Sequence, residues 1–316
     1  MRGNKLIVVS LTLFIVACQM VEAQTVAYFK TCTYSDELKR EANEGELHAM
    51  NDLGCCYDLG NGVEQNHQKA LEWFLKCGAM SGESAFNIGY YLENGIVEPR
   101  NLDAAIKWYS ESAAKGYGFA YYRLGKIYSS KGMMKESANF YLKGALRGVT
   151  LAAYALAIIY EEGIGVEENL KASLNWYRYV ADNKTDNPTD PMVVASEGKA
   201  GQMLFFNGDV ESAMVYLRRA ADKNQPDALY TLGMLLYEGD RITKNHKEAV
   251  SYLQRFLDNS DPLDVTRRGD ALQMLSVCHL YGLGGLKENR QKAIELAEEA
   301  AKCGNQEAIR VLPEMK

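Results

Sequence analysis

Residues Ala49 to Phe74 read AMNDLGCCYDLGNGVEQNHQKALEWF. Two helices and the turn between them are legible in this one stretch. Counted from Gly54 as zero, positions −5, −1, 0 and +3 fall on one face of a helix that turns 100° per residue. Gly60-Asn61-Gly62-Val63 then breaks the pattern with glycines able to end a helix and reverse the chain. Asn66 follows, a strong N-cap because its side-chain oxygen accepts from an orphan backbone N–H. Ala70 and Trp73 open the apolar face of the second helix. A small residue at Gly54 lets that second helix approach closely, and the aromatic is expected to fill the space toward the next pair.

The pattern recurs along the chain. The first marker returns at Ile88-Gly89, Leu124-Gly125, Leu156-Ala157, Ala200-Gly201, Leu232-Gly233 and Leu275-Ser276. The second returns at Ala105/Trp108, Ala138/Tyr141, Ser173/Trp176, Ala213/Tyr216, Ala249/Tyr252 and Ala293/Leu296. Asn101, Asn169, Asp209, Asn245 and Asn289 stand where Asn66 does; the third unit has Met134 there and breaks the rule. Units three and five have shortened turns. A short helical pair cannot shield its apolar side alone, so repetition at this period predicts pairs stacked on one another. The predicted fold is all-α, a right-handed α-solenoid of antiparallel helix hairpins.

About seven units are expected over residues 45–304, with a capping segment at 24–44 and another at 305–316. Polar insertions near 183–194 and 258–265 interrupt the period and read as surface loops. Residues 1–23 read as an export signal: Arg2 and Lys5 precede an uncharged run from Leu6 to Val16, too short to span a bilayer. Two processing routes are open. Cleavage after Ala23 would release a soluble protein into the periplasm, the cell envelope or the medium. Ile15-Val16-Ala17-Cys18 resembles a bacterial lipobox, and processing there would make Cys18 a lipidated N-terminus. Membrane contact is expected only by that second route.

These residues resemble the Sel-one-like repeat family, longer-looped relatives of the tetratricopeptide repeat. The resemblance is carried by Ala49 to Phe74 and by Ser84 to Tyr109, Ala152 to Tyr177 and Ala228 to Leu253. It rests on the combination of LGxxY, GxGV and a capped KAxxW segment. Unit seven departs, with Ser276 for glycine and Leu296 for the aromatic. The resemblance implies a right-handed superhelix and a role as adaptor or assembly scaffold. Exported relatives are linked to envelope processes.

The chain has 316 residues, is 47% hydrophobic and 24% charged, and carries a net charge of −6, so it is a folded protein rather than a disordered one. Without a basic run, nucleic-acid binding by counterion release is not expected. No HExxH, CxxC or GxSxG occurs, and the glycine-rich segments lie between helices without a P-loop lysine. No cofactor, metal site or catalytic group is therefore assigned. His67 and His246 share one repeat position and read as surface residues of the second helix. Six cysteines remain after residue 23; Cys32 pairing with Cys55 or Cys56 would pin the N-terminal cap to unit one.

One further stripe stands out on the first helix of each unit. Positions −3, +1 and +4 cluster at one angle and carry Phe86, Tyr90, Glu93, Tyr122, Tyr154, Glu161, Tyr230 and Tyr237. In tetratricopeptide-like superhelices the corresponding face lines the concave groove. Aromatics with carboxylates there suit a peptide or protein segment, although aromatic periodicity of this kind also arises from packing between helices. The expected function is an exported, non-enzymatic scaffold that holds a protein or peptide partner. The alternative is an enzyme or small-molecule binder acting on cell-wall material or a β-lactam.

Overall fold

The computed structural model describes residues 32–183, 189–239 and 241–315. The expected export signal at residues 1–23, Cys18 and the centre of the 183–194 insertion lie outside the described residues. Sixteen α-helices and no strand occur among the described residues. They are α1 (Asp36–Glu44), α2 (Leu47–Leu59), α3 (His67–Cys77), α4 (Gly82–Asn94), α5 (Leu102–Ala114), α6 (Gly118–Ser130), α7 (Met134–Ala145) and α8 (Thr150–Glu162). They continue as α9 (Leu170–Asp182), α10 (Pro191–Phe206), α11 (Val210–Asp222), α12 (Pro226–Glu238), α13 (His246–Asn259), α14 (Val265–Leu280), α15 (Arg290–Lys302) and α16 (Gln306–Met315). Helices α2/α3, α4/α5, α6/α7, α10/α11, α12/α13 and α14/α15 form hairpins, each with a first and a second helix; α8 leads into α9 through the same kind of turn, α1 packs on α2 and α16 on α15.

The chain divides into two compact units within α9, one ending at Trp176 and the other starting at Tyr177. In the first, α2/α3, α4/α5 and α6/α7 follow one another. Their apolar faces close into clusters such as Ala105, Tyr109, Ala120, Leu124 and Ile127, which takes side chains from two successive hairpins. In the second, α10/α11, α12/α13 and α14/α15 repeat the arrangement. Helix α16 packs on α15 through Ala293, Ala297 and Met315.

The predicted N-caps form. Asn66, Asn101, Asn169, Asp209, Asn245 and Asn289 each accept from the backbone N–H three residues on, at 2.9–3.2 Å. Each such cap contributes about 1 kcal/mol to its helix. The asparagines also fasten the hairpin: the backbone N–H of Asn66 donates to Tyr57 O, Asn101 to Leu92 O, Asn169 to Tyr160 O, Asn245 to Leu236 O and Asn289 to His279 O, all at 2.8–2.9 Å. The acceptor is position +3 of the first helix each time. One residue therefore starts the second helix and closes the turn.

The side chain that lies against the small residue of the first helix is the one after Trp73 or Trp108. A Cβ on Gly54 would lie 2.5 Å from Phe74 Cε1, and one on Gly89 would lie 2.9 Å from the Tyr109 ring. Gly201 and Gly233 face Leu217 and Leu253 in the same way. Phe74 and Tyr109 are fully buried while Trp73 and Trp108 are half-buried. Hairpin three follows the same spacing once shifted by one residue. Tyr141 lies on Gly125, Ser137 Oγ donates to Gly125 O at 2.8 Å, and the N-cap residue is Met133, which has no side-chain oxygen to offer. In the last hairpin Ser276 replaces the glycine and its hydroxyl donates to Ala293 O at 2.7 Å, so close approach is kept by a hydrogen bond.

Parts of the two insertions are helical. Residues 191–194 form the first turn of α10, capped by Asp190 with Pro191 in the first position, and α14 starts at Val265 behind Asp264. Helices α10 and α14 have 16 residues where α2, α4, α6, α8 and α12 have 13. The extra chain thus lengthens a first helix as well as a loop.

Candidate functional site

The stripe at −3, +1 and +4 runs along the first helix of each hairpin, and most of its members are half-buried. In the first unit it is largely a seam between successive first helices. Glu93 on α4 accepts from Tyr109 Oη at 2.7 Å and pairs with Arg123 of α6, whose guanidinium lies 2.8 Å and 3.0 Å from Glu93 Oε2. The Arg123 side chain is only 4% exposed, so its charge has no solvent to fall back on. Burial works against the charged guanidinium, but Tyr109 and Glu93 more than offset it and hold Arg123 more firmly protonated than usual. Burial likewise pushes the Tyr109 hydroxyl well above its ordinary range. The Arg123 guanidinium also lies 5.2 Å from the Tyr90 ring centroid.

The same seam between α2 and α4 is built of other polar groups. Asn51 Oδ1 accepts from Ser84 Oγ and Asn87 Nδ2, both at 3.1 Å. Tyr91 Oη donates to Asp58, and His67 Nδ1 lies 2.9 Å from the same carboxylate oxygen. His67 therefore does more than occupy a surface turn: it ties the start of α3 to a nearly buried aspartate. Burial, followed by Asp58, pushes the Tyr91 hydroxyl far upward.

The other candidates fall as follows. Phe86 packs in the core, its ring 5.4 Å from Tyr109 and 5.1 Å from Tyr117. Tyr122 is 2% exposed and stacks at 5.8 Å on Tyr141, so it has no surface to offer a partner and leaves the candidate set. Tyr154 and Glu161 are half-buried on α8. In the second unit Tyr230 packs at 5.2 Å on Phe256 and donates to Asp270 Oδ2 at 3.1 Å. Burial and then Asp270 push its hydroxyl up to about 12. Tyr237 is half-buried with its ring 5.5 Å from His246. Glu93 keeps its place on the stripe but is an internal ion-pair partner rather than a free carboxylate.

Sequence reading missed Arg123, Asn51, Asn87 and Asp58. They occupy positions −2, −3, −2 and +4 and look like ordinary helix polarity until the next hairpin is placed beside them. Cys32, Cys55 and Cys56 are free thiols gathered beside α2. Among the described residues no group of three or more His, Cys, Asp or Glu is arranged to hold a metal ion. No helix among them is long and apolar enough to cross a membrane.

Capped hairpins in series, with small residues at the hairpin contact and a mixed polar and aromatic seam, define the α-solenoid class of helical repeat proteins. The chain belongs to the Sel1 repeat family, whose model matches residues 47–77, 82–117, 150–184, 199–225, 226–261 and 269–305, more than half of the chain. Hairpin three falls between two of these matches, where the cap asparagine and the GxGV turn are missing. Chitin synthase regulatory factor 3 of Schizosaccharomyces pombe is 26% identical over 220 residues, which is 64% of this chain and 23% of that protein. The chain spans less than half the length of the curated relatives it matches. The c5321 protective antigen of uropathogenic Escherichia coli, described as an SLR fold, aligns with a TM-score of 0.63 at 21% identity, covering 96% of this chain and 71% of that one. A Sel1 repeat protein from Oxalobacter formigenes aligns with a TM-score of 0.51 at 23% identity, covering 88% of this chain and 79% of that one. These structures share the fold.

Proposed function

We propose that the protein is an exported, non-enzymatic scaffold that binds a protein or peptide segment along the first-helix stripe of its hairpins. Sel1-repeat proteins are typically protein-interaction scaffolds. The S. pombe relative is itself named as a regulatory factor of chitin synthase. The observation that carries the reading is the half-buried stripe, with Tyr90, Tyr154 and Glu161 in the first unit and Tyr230 and Tyr237 in the second. Half-buried tyrosines offer contact area at low cost in side-chain entropy, which favours them at protein interfaces. Packing holds Tyr90 under Arg123 in the first unit and Tyr230 on Phe256 in the second, so within each unit a partner segment would meet side chains already in place.

The test starts from the full-length gene. Photo-crosslinking residues at positions 90, 154 and 237 should capture one partner from envelope or secreted fractions. Tyr90→Ala and Tyr154→Ala should each weaken its capture, about tenfold for a side chain worth 1.4 kcal/mol at an interface. Capture of the same partner by all variants at wild-type strength would refute the stripe. Mass spectrometry of the mature N-terminus tests export: a chain starting at Gln24 or at a lipidated Cys18 is expected, and an intact leader would count against export.

A further inference from the structure

Three thiols meet where the segment before α1 crosses the first hairpin. Cys32 is half-buried, while Cys55 and Cys56 are buried on α2. The Cys32 thiol donates to Asp52 O at 3.1 Å, and Cys32 packs against the core cluster that contains Cys55. The segment is held over the α2–α3 turn by contacts of its own. Tyr34 N–H donates to Asn61 O at 3.0 Å, and the Tyr34 ring meets Tyr57 edge-on at 6.1 Å. The segment lies close on Gly62, at φ +75°: a Cβ there would stand 3.2 Å from Thr33 Cγ2 and 3.3 Å from Tyr34 Cβ. Cys32 is thus presented to α2 by a preformed strap and not by chance encounter.

The three thiols are not equivalent. Hydrogen bonding from Cys55 brings the Cys32 thiol down to about 7 despite its partial burial. Donating to Cys32, and then burial, pushes Cys55 far upward; burial pushes Cys56 up to about 12. Cys32, the least buried of the three, is therefore the first to give up its proton. Cys55 has a second feature: the side-chain amides of Asn51 and Asn87 both point N–H groups at its sulfur, at 3.9 Å. Such donors stabilise the thiolate that Cys55 must become before it can attack.

We propose that Cys32 and Cys55 form a thiol–disulfide exchange site that fastens the N-terminal segment to the first hairpin, using a low-molecular-weight disulfide as oxidant. In the first step the Cys32 thiolate attacks one sulfur of the small disulfide. That S–S bond breaks, and one small thiolate leaves. In the second step Cys55 gives up its proton to that thiolate or to water and attacks the Cys32 sulfur. The mixed disulfide breaks and the second small thiol leaves. Two protein thiols are oxidised to one disulfide, and one small disulfide is reduced to two thiols. Cys56 stays reduced. The bond would hold the strap that already lies over the turn, and the Asn51–Asn87 contact would connect its state to the seam between α2 and α4.

The experiment uses the purified, fully reduced chain and oxidised glutathione at neutral pH, followed by acid quench, alkylation and non-reducing peptide mapping. A Cys32–Cys55 cross-linked peptide is expected in the wild type and in Cys56→Ser. In Cys55→Ser a glutathione adduct at Cys32 should accumulate instead, and Cys32→Ser should give neither product. Before oxidation Cys32 should alkylate at least about tenfold faster at pH 7 than Cys77, whose thiol burial pushes up. Circular dichroism of each variant confirms that it is folded. A stable glutathione adduct at Cys32 in the wild type, a bridge to Cys56, or equal alkylation of Cys32 and Cys77 would each overturn the assignment.

Discussion

Replacing Gly54 with alanine sets two effects of opposite sign against each other. In a helix interior, glycine to alanine favours folding by about 1 kcal/mol through backbone entropy. Here the added Cβ would stand 2.5 Å from Phe74 Cε1 and 2.7 Å from Cδ1, distances that non-bonded carbons do not adopt. The Phe74 ring is fully buried and meets the Tyr91 ring edge-on at 5.8 Å, so it has no free side to retreat into. Helix α3 must shift, at the 1–3 kcal/mol typical of an overpacked core. A contact of 2.5 Å puts the cost in the upper half of that range, about 2–3 kcal/mol, so overpacking wins and Gly54→Ala should destabilise the first hairpin by about 1–2 kcal/mol. Repeat arrays need not unfold as one cooperative block, so the readout is native-state hydrogen exchange followed by mass spectrometry on peptides from α2 and α3. Phe74→Leu relieves the clash, and the double variant should be less destabilised than the two single losses combined, by about 1 kcal/mol. A Gly54→Ala protein whose α2 and α3 amides exchange more slowly than wild type would refute the reasoning, because it would show that the missing side chain does not set the helix approach.

Other consequences are measurable. Arg123→Met leaves Glu93 buried without its cation and should cost about 3–5 kcal/mol, with Glu93→Gln in the same chain recovering part of the loss; exchange rates across α4 and α6 report it. Met133→Asn supplies the cap that hairpin three lacks and should raise the stability of α7 by about 0.5–1 kcal/mol, visible as slower exchange in its first turn. Tyr230 titrates near 10 when unfolded and about 12 when folded, so its contribution is fully present below pH 10 and is lost as pH rises toward 12. Subtracting the 295 nm titration of Tyr230→Phe from that of the wild type should leave a step near pH 12, and a step at pH 10 would contradict the burial described.

The capped turns are written locally, which is why the sequence alone determined them. An asparagine oxygen reaches only its own next turn, so Asn66, Asn101 and their counterparts announce the second helices regardless of what packs outside. Gly54 and its equivalents likewise announce close contact, and the period announces stacking. Which residue makes that contact required the tertiary structure: Trp73 and Phe74 are adjacent and both aromatic, and only the rotation of α3 against α2 puts Phe74 on the glycine. The displaced register of hairpin three had the same cause, since Ser137 and Ala138 are both small and the cap that would choose between them is absent. The −3, +1 and +4 stripe was visible as a periodicity, but whether its members face a partner or a neighbouring helix depends on the next hairpin. Glu93 looks like a free carboxylate until Arg123, thirty residues on, is brought against it. Helix geometry is a property of adjacent residues; a buried ion pair or a cluster of thiols exists only where separate turns of chain meet and exclude water.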